Sequence, residues 1–273
     1  MVKGRVLFVN QEIVPYLKET KLSLMGRNLP QYIQEGGKEI RTFMPRFGNV
    51  NERKNQLHEV IRLSGINLII DNSDHPLIIK VASIQQARMQ VYFIDNEDFF
   101  QRKYDLVDDE DKSFIDNDER VIFYSRGVLE TIKKLNWRPH VVHCSGWFSS
   151  LMPFYIKRTN YKNNPLFGTS KIVLTLVEDE FAGMLHESFF KKLKMDGGTV
   201  KDWNMYKESD YLNYMMAAIS YSDGIVLASD KVNPKLIEFA KQNKKHIVEY
   251  ASAEEQYPLI NELYDKIIVL DED

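Results

Sequence analysis

Residues 118–143 read DERVIFYSRGVLETIKKLNWRPHVVH. Val121, Val128, Leu129, Ile132 and Leu135 recur at helical spacing, so one face of this segment needs burial. Asp118 is a candidate cap at its start. Trp137-Arg138-Pro139 ends the helix, because proline disfavours a helical residue before it. His140-Val141-Val142-His143 then reads as a strand. The same alternation extends in both directions. Upstream, Val6-Leu7-Phe8-Val9 is a continuous apolar run suited to a strand buried on both faces. A helix over 20–35 follows, stopped by Gly36-Gly37, then a strand over 40–43, and such a βαβ unit crosses over right-handed. Downstream, helices over 147–158 and 210–222 alternate with strands over 172–176 and 224–228. The fold class expected is α/β, a single Rossmann-like, doubly wound, mainly parallel sheet.

Two stretches depart from that rhythm. Segments 57–70, 77–84 and 89–94 are strand-like, with Asp71-Asn72-Ser73-Asp74 as turn residues, and predict a hairpin-rich insertion. Residues 105–118 are acidic and poor in core residues, which predicts a surface loop. After Ser229, helical patterns over 234–242 and 254–264 and short strands over 246–250 and 267–270 are expected. Ile237, Phe239, Ile247, Leu259 and Leu263 need burial there, so the tail is expected to cover the same domain or an interface.

Composition narrows the function classes. Hydrophobic residues make up 44% of the 273-residue chain, enough for a sizeable core. The net charge of −3 comes from mixed signs and provides no concentrated basic surface for nucleic acid. No apolar run approaches the roughly 20 residues needed to span a bilayer, and the first residues do not form a secretory leader. The single cysteine, Cys144, excludes an internal disulfide and a cysteine-based zinc site. The expectation is a cytoplasmic protein with no cofactor, no resident metal and no membrane or nucleic-acid partner.

Six blocks in order carry a resemblance to the glycogen and starch synthases. The first is Val6 to Pro15, continuing with Lys18, Leu22, Gly26, Leu29-Pro30, Arg41, Pro45 and Gly48. Val91 to Asp95 with Phe100, Arg102 and Tyr104 is the second, and Asp116-Asn117 with Arg120, Phe123, Arg126 and Leu129-Glu130 the third. Then come Trp137 to His143, Leu174-Thr175 through Gly183, and Ser222 to Val226 with Ser229. Together they cover residues 1–232, leaving 233–273 as a C-terminal extension packed on the same domain. The resemblance implies the N-terminal half of a GT-B fold, in which this half holds mainly the glucan acceptor and a second domain binds most of the nucleotide sugar. The expectation is that the chain ends before a second domain of usual size.

Where the family places contacts to its substrates, this chain differs. The family's Lys-X-Gly-Gly-Leu loop, whose glycines let backbone N–H groups approach phosphates, reads Lys18-Glu19-Thr20-Lys21-Leu22. Lys18 remains the candidate nucleotide-sugar phosphate contact. Ser145, Gly146 and Phe148 stand where the family has a cleft histidine, an aspartate and a second histidine, while Trp147 is retained. Thr175-Leu176-Val177-Glu178 replaces Thr-Val-His-Asn, and Leu24 replaces an aspartate. Glu178, Asp179 and Glu180 form an acidic run at a strand's C-terminal end, fit for a cation, a sugar hydroxyl or plain solvation. Candidate glucan or cleft residues are Glu12, Ser145, Trp147, Glu178 and Asp179. No catalytic residue is assigned. The expected role is a glucosyltransferase-related module, non-catalytic alone, that binds a glucan, a protein partner such as a synthase, or a second copy of itself. The alternative is an enzyme using ADP- or UDP-glucose whose donor domain comes from a partner chain.

Overall fold

A computed structural model describes residues 4–268. The strands are β1 (Arg5–Asn10), β2 (Glu39–Pro45), β3 (His58–Glu59), β4 (Ile66–Ile70), β5 (Ser73–Ile84), β6 (Met89–Asp95), β7 (Val141–Ser145), β8 (Lys171–Leu176), β9 (Gly224–Leu227) and β10 (His246–Val248). Their order across the sheet is β10-β9-β8-β7-β1-β2-β6-β5-β3, with β4 hydrogen-bonded to β5 off this path. Every pairing from β10 to β6 is parallel, and β3, β4 and β5 add the antiparallel hairpins. The chain winds outward from β1 to β2 and β6, then crosses back to β7 on the other side of β1. The β1–β7 boundary is therefore the topological switch point.

The helices are α1 (Lys21–Glu35), α2 (Glu97–Phe100), α3 (Asn117–Leu135), α4 (Met152–Arg158), α5 (Phe189–Asp196), α6 (Val200–Asn204), α7 (Tyr211–Tyr221), α8 (Pro234–Gln242) and α9 (Ala253–Ile267). Val6 and Phe8 of β1 pack with Met25, Leu29 and Ile33 of α1 and with Ile260, Leu263 and Tyr264 of α9. Leu7 and Val9 face the larger core beneath α3, α4 and α7. A strand covered on both faces has no polar side to show, which explains its unbroken apolar run.

Several boundaries differ from the sequence expectation. Asp118 does not cap α3: Asp116 occupies that position, and Asp118 lies buried in the first turn, where Lys192 reaches it at 2.6 Å. The segment 57–70 forms two short strands separated by a turn. Only Asp71 and Asn72 make the next turn, both left-handed (φ 46° and 67°), so that Ile70 pairs directly with Ser73. A two-residue turn with both centres left-handed matches the twist of the flanking strands. Residues 147–149 form a 3-10 turn, and α4 begins only at Met152, with Pro153 in its first turn. Ile267 closes α9 instead of opening a strand, and Val269 and Leu270 lie outside the described residues. In the tail, β10 extends the parallel sheet and Leu263 is buried, whereas Leu259 remains 46% exposed.

Candidate functional site

The loops leaving β1 and β7 diverge at the switch point, where open α/β sheets place ligands. Here Gln11 stitches them together. Its N–H donates to the Ser145 carbonyl at 3.0 Å, and its Oε1 accepts the Phe148 N–H at 3.0 Å. Gly146 makes this approach feasible. Its φ is +87°, and a Cβ on it would lie 2.7 Å from Gln11 Oε1 and 2.8 Å from Leu22 Cδ2. Ser145 is thereby buried at the end of β7, paired with Asn10 of β1 and Thr175 of β8. It does not reach the cavity wall.

That cavity, about 560 Å³, opens beside the closed crevice. Glu12 after β1, Trp147 after β7 and Asp179 after β8 share its wall with Lys18. The surface loop 105–118 also lines it, through Asp105, Asp108, Asp109 and Asp111, with Lys103 and Tyr104 just before that loop. Glu180, Phe181 and Phe47 complete the part relevant to chemistry. Seven carboxylates thus face two lysines and four aromatic rings. Among the described residues, no three His, Cys, Asp or Glu side chains stand close enough to hold a metal ion.

The carboxyl groups are held in specific states. Asp179 Oδ2 accepts the Trp147 N–H at 2.7 Å, and Oδ1 accepts the Tyr211 hydroxyl at 2.8 Å. Burial nevertheless outweighs these bonds and, with Glu12 nearby, pushes the Asp179 carboxyl up to about 6. Burial likewise raises Glu12, against a hydrogen bond from the Thr20 hydroxyl, and raises Asp105. Lys18 is exposed on this wall, and its charge favours ionisation of both Glu12 and Asp105.

The turn before α1 is filled by its own side chains. Thr20 caps the helix: its Oγ1 accepts the Ser23 N–H at 2.9 Å, and the Ser23 hydroxyl accepts the Thr20 N–H at 2.8 Å. This reciprocal cap occupies amide donors that a helix N-terminus would otherwise offer to an anion. Lys21 then reaches across the ends of β8 and β9, with Nζ 2.9 Å from Glu178, 3.0 Å from Ser229 Oγ and 3.6 Å from Asp230. Burial opposes the charge on Glu178, but hydrogen bonds from Ser229 and Lys21 prevail and bring its carboxyl down to about 2. Glu178 therefore belongs to this ion cluster and does not line the cavity. Glu12, Trp147, Asp179 and Lys18 come together; Ser145 and Glu178 stand apart from them.

His143 is fully buried in β7, hydrogen-bonded to the Tyr264 hydroxyl and, through Nε2, to Thr175 Oγ1 at 2.6 Å. Burial pushes its imidazole down to about 3. It is a core residue tying α9 to the sheet. Asp105, Tyr104 and Gln11 join the site without a local sequence signal that marks them. The acidity of 105–111 was visible, but the folding of that loop over the strand ends depends on distant contacts, such as Arg120 donating to the Asp105 carbonyl at 2.7 Å.

This sheet, with its site at the C-terminal strand ends, defines a Rossmann-type half of a glycosyltransferase fold. Residues 5–245 match the family of the starch synthase catalytic domain, and the chain belongs to that family. Over 226 residues it is 32% identical to the glycogen synthase of Chlorobium limicola, covering 82% of this chain and 45% of that protein. The glycogen synthase of Chlorobaculum tepidum is 31% identical over 248 residues, with 86% and 47% covered. The chain thus spans about half the length of these relatives. Among solved structures, the catalytic domain of starch synthase IV from Arabidopsis thaliana, bound to ADP and acarbose, superposes with a TM-score of 0.69. That match has 16% identity and covers 91% of this chain and 51% of the other, which establishes the shared GT-B starch synthase fold.

Proposed function

We propose that this domain is a glucan-binding module of the glycogen and starch synthase family that does not transfer glucose by itself. The composition of the cavity wall carries the reading. Carboxylates accept hydrogen bonds from sugar hydroxyls, and the rings of Phe181, backed by the buried Trp147, and of the exposed Tyr104 suit the apolar faces of pyranose rings. A departing diphosphate would meet seven carboxylates, with Lys18 and Lys103 alone to offset them. The turn that glycines would leave open to phosphate is occupied by Thr20, Ser23 and Lys21. In this reading residues 1–232 form the synthase-like unit and 233–273 an extension packed on it.

Calorimetric titration separates the alternatives. Maltooligosaccharides are expected to bind saturably and ADP-glucose not to bind, with Phe181→Ala weakening the glucan. Purified protein that lengthened a glucan from ADP- or UDP-glucose would overturn the reading, as would absence of glucan binding. A second reading, a glucosyltransferase needing a partner chain for its donor domain, is favoured by the exposed Lys18 on the cavity wall. It requires incorporation of labelled glucose in the presence of a partner and its loss in Lys18→Ala.

A further inference from the structure

At the opposite end of the sheet, where β2 and β6 begin, a second basin of about 500 Å³ is bounded by Gln34, Glu39, Arg41, Arg88, Gln90 and Tyr92. Arg41, half-buried on β2, is held rather than loose. Its Nη1 donates to the Tyr92 hydroxyl at 2.8 Å, and its guanidinium lies 5.8 Å from the centre of the Tyr92 ring and 5.3 Å from that of Trp137. Stacking and one hydrogen bond orient the guanidinium fork without neutralising it. Glu39, the basin's own carboxylate, is engaged elsewhere: it accepts the Trp137 Nε1–H at 2.6 Å and faces Arg5 at 3.5 Å.

Arg88 supplies a second guanidinium. It occupies a left-handed turn (φ 48°) between the 3-10 turn at Gln85–Ala87 and β6, and the Gln34 amide donates to its carbonyl at 3.3 Å. An arginine at positive φ gives up roughly 1 kcal/mol that glycine would not. Among the described residues, neither Arg41 nor Arg88 forms an ion pair with a carboxylate. By contrast, Arg46 and Lys80 in the same half of the sheet both pair with Glu52 and Asp95.

We infer that this basin is a second binding site, distinct from the glucan cavity, for a phosphate group, with Arg41 as the fixed fork, Arg88 as the exposed one and the Gln34 and Gln90 amides as neutral donors. An oxyanion accepts stronger, charge-assisted hydrogen bonds from guanidinium groups than a neutral sugar hydroxyl does.

The three indole N–H groups, of Trp137, Trp147 and Trp203, make the test local. Trp137 touches Arg41, and Trp147 lines the glucan cavity. In ¹H–¹⁵N spectra of the full chain at constant ionic strength, inorganic phosphate is expected to shift the Trp137 indole saturably and leave that of Trp147 unmoved. Maltooligosaccharide is expected to do the reverse. Arg88→Gln, at an exposed position, should weaken phosphate about tenfold, as loss of a charge-assisted contact would. Arg41→Lys should weaken it while retaining the charge, and Lys18→Ala should leave it unchanged. The proposal is overturned if the Trp137 indole does not respond to phosphate, if Arg88→Gln binds like the wild type, or if phosphate moves Trp147 and Lys18→Ala abolishes the shift. A failure of the maltooligosaccharide arm alone would remove the glucan reading and leave this site standing.

Discussion

The Thr20 hydroxyl donates to Glu12 Oε2 at 2.8 Å while accepting the Ser23 N–H at 2.9 Å. One side chain therefore caps α1 and positions a carboxylate of the cavity. Thr20→Ala removes both contacts and should lower stability by about 1 kcal/mol, the usual loss at a helix cap. Thr20→Gly should lose only a few tenths, because glycine is tolerated at that position. In both variants Glu12 loses a bond that favours its ionised form, so its carboxyl should rise further above the usual range. Urea unfolding and carboxyl NMR titration check the two parts.

Asp179 links stability to pH. Its carboxyl sits at about 6 in the folded protein against an ordinary 3.8. Between those values the folded state retains a proton that the unfolded chain has released, so this group makes stability fall as pH rises from about 4 to about 6 and contributes no slope above. Asp179→Asn removes that slope. The stability of the variant relative to wild type should therefore climb across this window and then level off. A difference independent of pH would show that the carboxyl is not raised.

His143 acts in the opposite sense. It stays neutral in the folded core down to about 3, whereas the unfolded imidazole protonates near 6.5. Stability from this residue is complete above 6.5 and is lost as pH falls toward 3, at up to about 1.4 kcal/mol per pH unit. Tyr264→Phe leaves one buried ring nitrogen without its partner, at about 1–3 kcal/mol. Denaturant midpoints measured from pH 7 to 4 test both statements.

Lys192 places its ammonium 2.6 Å from Asp118 and 2.6 Å from Glu119, with Asp118 fully buried. Lys192→Ala strands that carboxylate and should cost about 3–5 kcal/mol. Lys192→Met combined with Asp118→Leu, which removes both charges at similar volume, should cost far less. Equal losses in the two proteins would refute the view that an uncompensated charge is the cause.

The sheet was legible because its strands announce themselves. Val6 to Val9 and Val141-Val142 are apolar on both faces, and helical spacing from Val121 to Leu135 marks the crossover between them. The errors fell where long-range contacts override local cues. Asp118 looks like a cap in a one-dimensional reading, but a lysine 74 residues away draws it into the core. The same limit applies to the site. Glu12, Trp147 and Asp179 follow strands that could be recognised, so their convergence could be anticipated. Ser145 ends such a strand, but Gln11 closes over it, and nothing in the local sequence around Ser145 signals that closure.

Gly146 limits which substitutions the end of β7 can accept. With φ at +87° and Gln11 and Leu22 within 2.8 Å of any added carbon, an acidic side chain there would strain the backbone and force both neighbouring side chains to shift. Substitutions that alter this end of the sheet are therefore expected around position 146 and not at it.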